Sequence, residues 1–175
     1  MPLSTIASKA VDQVSNDRAA VLAHVLNYAG TDLLCYRAGH PPELQSRQHE
    51  TWQPLLDWAA DTFNARLVVT EGVTPVDQPK EALSGIKDIV EALDDRTLAG
   101  LAVLTQATGS LIIGLALLNG RLDAGAAMQA SQLDERWQKE KWGEDGEDRK
   151  QLDALKNEIQ ETLDFLDLVQ SREGS

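Results

Sequence analysis

The sequence is short of cysteine and of basic residues. Cys35 is the single cysteine among 175 residues, so no internal disulfide can form and a small secreted fold held by disulfides is excluded. Lysine and arginine together number 16 against 28 acidic residues, which gives a net charge of −12 with no basic run. Because phosphate binding needs a basic patch, this composition argues against nucleic acid or an anionic membrane as the main partner.

Motifs for metal, nucleotide and targeting functions are also missing. The histidines at positions 24, 40 and 49 form no pair at zinc-ligand spacing, so we expect no metal site. No glycine-rich phosphate loop is present, and we expect neither a nucleotide nor another cofactor. The first twenty residues lack the apolar core of a secretion signal and the arginines of a transit peptide.

What the sequence does contain is a series of helical patterns. Hydrophobic residues make up 42% and charged residues 25%, the balance of a soluble globular protein. Apolar residues recur at helical spacing along most of the chain, which predicts a mainly α fold. We expect one domain over residues 1–175, a helical bundle around a central apolar helix at 98–118. The segment 65–71 is rich in β-branched residues and predicts at most one short strand. Pro54 predicts a kink, or a new helix that begins near 51–53.

The apolar segment 98–118 has two interpretations. It carries no charge and is long enough to cross a bilayer. Thr105, Gln106, Thr108 and Ser110 form a polar band in its middle, and no aromatic residue marks either end. We therefore interpret it as a buried core helix and expect no stable membrane insertion, with a membrane-associated protein as the alternative.

Two residues are candidates for chemistry. Cys35 lies in "LLCYR" and is either a nucleophile or a small buried apolar side chain, the usual state of a free cysteine. Glu71 ends the strand-like segment and is either a functional carboxylate or a turn residue that faces solvent. A small helical enzyme that uses Cys35 or Glu71 is thus an alternative function.

The stretch "ERWQKEKWGEDGEDRK", residues 135–150, combines two tryptophans, two glycines and a cluster of acids. Acidic residues at 144–148 are explained as helix capping, since carboxylates stabilise a helix N-terminus. The other interpretation is a partner-binding surface. Trp142 lies off the apolar stripe that contains Trp137, so it is the less obvious core residue.

Four motifs occur in an order that resembles one known family. They are "TDLLCYR" (31–37), "WQPLLDWA" (52–59), "ARLVVTEGV" with "QP" (65–79) and "SQLDERWQKEKWGED" (131–145). Together they resemble the F-type ATP synthase assembly chaperone that escorts the alpha subunit of the catalytic head. The resemblance covers nearly the whole chain.

The resemblance implies a protein that is not an enzyme. Such a chaperone binds the free alpha subunit and prevents its aggregation before the subunit pairs with beta. It implies a bacterial cytoplasmic location, or the mitochondrial matrix in a eukaryote, and we expect a monomer. The family has a β-containing domain upstream of a helical domain, and this chain matches the helical C-terminal part.

The same resemblance also implies where the partner binds. The family's C-terminal motif falls on Trp142, Glu144, Asp145 and Glu147, which we expect to bind the partner. The motif "TDLLCYR" includes Arg37. We expect a structural or binding role for Arg37 and for Glu71.

Overall fold

Helices make up most of the protein, as the apolar spacing predicts. The computed structural model describes residues 5–72, 77–142 and 146–173. Within these ranges the helices are α1 (Thr5–Asn16), α2 (Arg18–Gly30), α3 (Pro42–Phe63), α4 (Lys80–Glu91), α5 (Asp95–Thr108), α6 (Leu111–Leu118), α7 (Ala124–Ser131), α8 (Leu133–Trp142) and α9 (Gly146–Glu173). The predicted mainly α fold class is confirmed.

The described residues contain one small parallel sheet. Strand β1 (Tyr36–Arg37) follows a 3₁₀ turn at Leu33–Cys35 and pairs with β2 (Thr70–Glu71). The strand predicted near 65–71 is therefore confirmed at its last two residues. Its partner β1 was not predicted, because a two-residue strand is defined by long-range pairing and leaves no local pattern.

The prediction of one central helix over 98–118 is wrong in its continuity. The segment forms two helices, α5 and α6, of 14 and 8 residues. Gly109 ends α5 in the left-handed region with φ of 74°, and the Ser110 hydroxyl caps α6 by accepting from the Ile113 N–H at 3.0 Å. In the parts of the chain that the structure describes, no helix combines the length and the apolar character needed to cross a bilayer.

The α5–α6 pair still forms the centre of the bundle. α5 packs against α1, α2, α6 and α9, and α6 also packs against α2, α3 and α7. Their apolar side chains are buried on all sides, which is why the pattern shows no single apolar stripe. The largest fully buried side chains of the pair are Leu98, Leu101, Leu104, Leu111, Ile112, Ile113 and Leu115.

The new helix predicted at 51–53 does not occur, since α3 continues through Pro54. Pro54 is exposed, so the carbonyl that loses its helical hydrogen bond there lies toward water. The neighbouring residues Trp52, Leu55 and Leu56 are buried. Burial of this face on the core stabilises the helix against the proline.

Candidate partner-binding surface

The motif "TDLLCYR" holds the chain together around a buried carboxylate. Asp32 is fully buried and lies just before the 3₁₀ turn. Its carboxylate accepts hydrogen bonds from the Ser110 hydroxyl at 2.7 Å, the Ile112 N–H at 3.0 Å and the Leu34 N–H at 3.1 Å. Asp32 therefore joins the turn after α2 to the N-terminus of α6, where the helix dipole favours a negative charge.

Burial governs the ionisation of Asp32. It raises the pKa of this carboxyl above the ordinary value of 3.8, while the hydrogen bonds from Ser110, Ile112 and Leu34 act to lower it. With every nearby donor directed at its oxygens, the side chain functions as a structural acceptor.

Arg37 lies at the end of the same motif and is buried. Its Nε donates to the Leu34 carbonyl at 2.8 Å, its Nη2 donates to Gln53 Oε1 at 3.3 Å, and its guanidinium lies 5.7 Å from the centre of the Trp52 ring. Desolvation lowers the pKa of Arg37. These contacts connect the 3₁₀ turn to α3.

The two residues of the enzyme alternative lie in different environments. Cys35 is fully buried, and burial followed by the nearby Asp32 charge raises the pKa of its thiol to about 12. The side chain is therefore a thiol at neutral pH, whereas nucleophilic attack needs a thiolate. Glu71 lies exposed on β2, opposite Arg37 in the register. No cluster of three or more metal-ligating side chains occurs among the described residues.

The residues implied as the partner site lie around the junction of α8 and α9. Trp142 is the last residue of α8, and Glu147 is the second residue of α9. Glu144 and Asp145 lie outside the described residues. Trp142 and Glu147 thus belong to the two helices that wall a groove.

A groove with a volume of about 440 Å³ lies between α8 and α9. We call it the α8–α9 groove. One wall is Gln132, which lies between α7 and α8, together with Arg136, Lys139 and Glu140 on one face of α8. The other wall is a face of α9 with residues at helical spacing: Arg149, Leu152, Asp153 and Lys156. Gly125, Met128 and Gln129 of α7 complete the lining.

The path of the chain between α7 and α8 opens this groove. The apolar pattern at 122–137 predicts one helix up to Gly143, but α7 ends at Ser131 and α8 begins at Leu133. α8 then packs against α3 and α7, whereas α9 packs against α1, α5 and α7. The two helices thus rest on different parts of the bundle and leave a cleft above α7.

The charge of the α8–α9 groove is unusual for this chain. Its lining has four basic residues, Arg136, Lys139, Arg149 and Lys156, but two acids, Glu140 and Asp153. The whole chain has 28 acids and 16 basic residues. Sequence reasoning missed this cluster because the four cations are scattered over twenty-one positions and form no run. Their helical spacing on α8 and α9 was the available signal.

A second, smaller cleft lies on the other side of α8. It has a volume of about 270 Å³ and is bounded by α3 and α8, with Arg136 and Glu140 lining both clefts. An ion pair of 2.8 Å between Arg47 and Glu140 spans it. α8 is therefore a ridge between two clefts, and Arg47 partly neutralises one of the two acids in the α8–α9 groove.

Known structures closely resemble this fold. A mutant of Paracoccus denitrificans Atp12p superposes with a TM-score of 0.88 and 40% identity, over 94% of this chain and 70% of that one. Atp12 from the same bacterium gives 0.85 and 40%, over 89% and 67%. The chain belongs to the ATP12 chaperone family. The model of the family described as "ATP12 chaperone protein" matches residues 1–60.

A third structure extends the ATP12-like fold to another bacterium. An Agrobacterium tumefaciens protein is 38% identical with a TM-score of 0.84, over 90% of this chain and 59% of that one. Membership of the ATP12 chaperone family confirms the family that the four sequence motifs indicate.

Proposed function

We propose that this ATP12 family member is a non-catalytic assembly chaperone of the F-type ATP synthase. It binds the free alpha subunit of the catalytic head and keeps it from aggregating until alpha pairs with beta. It acts as a monomer in the bacterial cytoplasm, or in the mitochondrial matrix of a eukaryote.

The observation that carries the proposal is the 40% identity to Paracoccus denitrificans Atp12p over 94% of the chain. The ordered motifs at 31–37, 52–59, 65–79 and 131–145 support the alpha subunit as the client. A subunit that waits for its partner exposes an interface that is prone to aggregate. A protein that covers this interface needs a docking surface and no catalytic group.

We place the docking surface at the α8–α9 junction and the adjoining groove. Trp142 supplies an aromatic group, and Glu144, Asp145 and Glu147 supply acids of the kind found at a polar rim. Arg37 and Glu71 stay outside this surface, because Arg37 is buried against α3 and Glu71 lies on the small sheet.

Light scattering of the alpha subunit tests the proposal directly. We expect an equimolar amount of this protein to suppress aggregation of freshly diluted alpha subunit, and the two chains to elute together from a sizing column. An inert protein of similar acidity is the control. Undiminished scattering and separate elution would rule out this client.

Two variants separate a docking role from helix capping. Trp142→Ala and Glu144→Lys should weaken retention of the alpha subunit while the melting temperature stays near that of wild type. A lowered melting temperature with unchanged retention would instead assign these residues to the helix ends, as the capping interpretation predicts.

A further inference from the structure

We propose that the α8–α9 groove binds an acidic segment of the client polypeptide, with an apolar side chain of that segment on the groove floor. The inference rests on the proposed function, since the client is the subunit that the chaperone accepts. It adds the chemistry of the recognised segment and the residues that recognise it.

The groove differs in charge from the rest of the surface. A chain with a net charge of −12 repels acidic polypeptides over most of its surface. Four of its 16 basic residues line this one groove, together with two acids. Because charges farther than about 10 Å are screened at physiological salt, an acidic segment in the groove responds mainly to these cations.

Three of the four groove cations are available to a ligand. Arg136, Arg149 and Lys156 are exposed, and none makes an ion pair or hydrogen bond with the described part of the chain. Glu140 is already paired with Arg47 at 2.8 Å. Among the residues that line the groove, the balance of charge therefore favours an incoming carboxylate, and arginine can bind one through two parallel hydrogen bonds.

The position of Arg149 supports the same conclusion. It is the fourth residue of α9, close to a helix N-terminus where the dipole disfavours positive charge. The helix dipole therefore does not account for an arginine at this position, whereas a role in attracting an acidic ligand does.

The groove also has an apolar component. Met128 is nearly buried and Leu152 is half-buried along its lining. Methionine adapts its shape to different partners, so this floor suits an apolar side chain of variable form. A volume of about 440 Å³ accommodates a few side chains of one segment, rather than the face of a folded domain.

A peptide-binding assay tests the groove. The probe is a short fluorescein-labelled peptide of glutamate and leucine, and its glutamine-for-glutamate counterpart measures the contribution of the charges. We expect the acidic peptide to bind the wild-type chain at least tenfold more tightly than the glutamine peptide. The double variant Arg149→Glu/Lys156→Glu should lose at least tenfold in affinity for the acidic peptide.

A matched double variant controls for overall charge. Arg66→Glu/Lys80→Glu makes the same change in net charge at exposed positions that do not line the groove. It should bind the acidic peptide within about twofold of wild type, an allowance for screened long-range charge. Equal losses in the two double variants, or equal affinity for the acidic and glutamine peptides, would overturn the inference.

Retention of the alpha subunit by the same proteins separates the two proposals. Failure of the wild-type chain to retain alpha overturns the proposed function, whereas the peptide affinities decide the groove. Retention that is lost in Arg149→Glu/Lys156→Glu and kept in Arg66→Glu/Lys80→Glu supports both. If both double variants still retain the alpha subunit, the chaperone role stands and the groove is not part of it.

Discussion

Charged side chains are paired differently in two regions of the molecule, the core around α5 and α6 and the α8–α9 groove. In the core a single carboxylate, Asp32, is fully buried and its oxygens accept three hydrogen bonds. In the groove Arg136, Arg149 and Lys156 are exposed and make no pair with the described residues. A satisfied buried charge fixes the position of two segments, whereas an unsatisfied exposed charge is available to a ligand.

Because of this difference, we expect core substitutions to affect stability and groove substitutions to affect binding. Substitutions in the core should lower the free energy of unfolding and affect a partner only through loss of the fold. Substitutions in the groove should change binding while the fold persists.

Trp52→Ala should be the most damaging single change. The Trp52 ring is fully buried, and its Nε1 donates to the Ala130 carbonyl at 2.8 Å, which joins α3 to α7. Removing a buried tryptophan leaves a cavity and an unpaired carbonyl, so we expect a loss of about 3–5 kcal/mol in the free energy of unfolding. Urea titration followed by circular dichroism measures it. Trp58→Ala is the matched control and should cost less, because Trp58 is half-buried.

Asp32→Asn should come next in size. An amide nitrogen would replace one of two oxygens that face only donors, so we expect a loss of about 1–3 kcal/mol. Asp123→Asn is the control, because Asp123 caps α7 at the surface and asparagine is an equally good cap. A similar loss in both variants would show that Asp32 does no more than an ordinary cap.

The pH dependence gives a second measurement on Asp32. Burial raises the folded-state pKa of Asp32 above the ordinary value of 3.8. At a pH between 3.8 and the folded-state pKa, the folded state therefore binds more protons than the unfolded state. The contribution of Asp32 to stability is then present at low pH and is lost as pH rises through the folded pKa. The stability difference between wild type and Asp32→Asn should therefore shrink as pH rises through that value, in urea titrations at several pH values. A difference that grows with pH would contradict the raised pKa.

The helices could be predicted because their signals are local. Apolar spacing identifies the amphipathic helices. The position before an apolar run predicts a cap at Asp94 or Asp95, and Asp94 is the residue that caps α5. The break at Gly109–Ser110 escaped this reasoning because both flanking helices are apolar all round. In a segment that is apolar on every face, no apolar stripe changes position where one helix ends and another begins, so the pattern does not reveal the break.

The groove could be predicted only in part, because it depends on how two helices face each other. The spacing of Arg149, Leu152, Asp153 and Lys156 puts them on one face of α9, which is a local inference. That this face lines the same groove as Arg136 and Lys139 depends on how the two helices pack on the bundle. The same limit applies to β1, whose pairing with β2 joins residues more than thirty positions apart.

Arg149→Glu should have the smallest effect on stability, although it lies in the groove. The side chain is exposed near the start of α9, and an acid there is favoured by the helix dipole. We expect the free energy of unfolding to stay within about 0.5 kcal/mol of wild type, or to rise slightly. Urea titration beside Arg18→Glu supplies the comparison.

Arg18→Glu makes the same charge change at a residue that the fold uses. Arg18 donates to Asp95 at 2.6 Å and to the carbonyls of Glu91 and Leu93 at the end of α4, so its loss should cost on the order of 1 kcal/mol. If Arg149→Glu costs as much as Arg18→Glu, then Arg149 stabilises the fold and its availability to a ligand is refuted. If only Arg18→Glu is destabilising, Arg149 does not stabilise the fold. A loss of acidic-peptide binding in Arg149→Glu must then come from the binding surface itself.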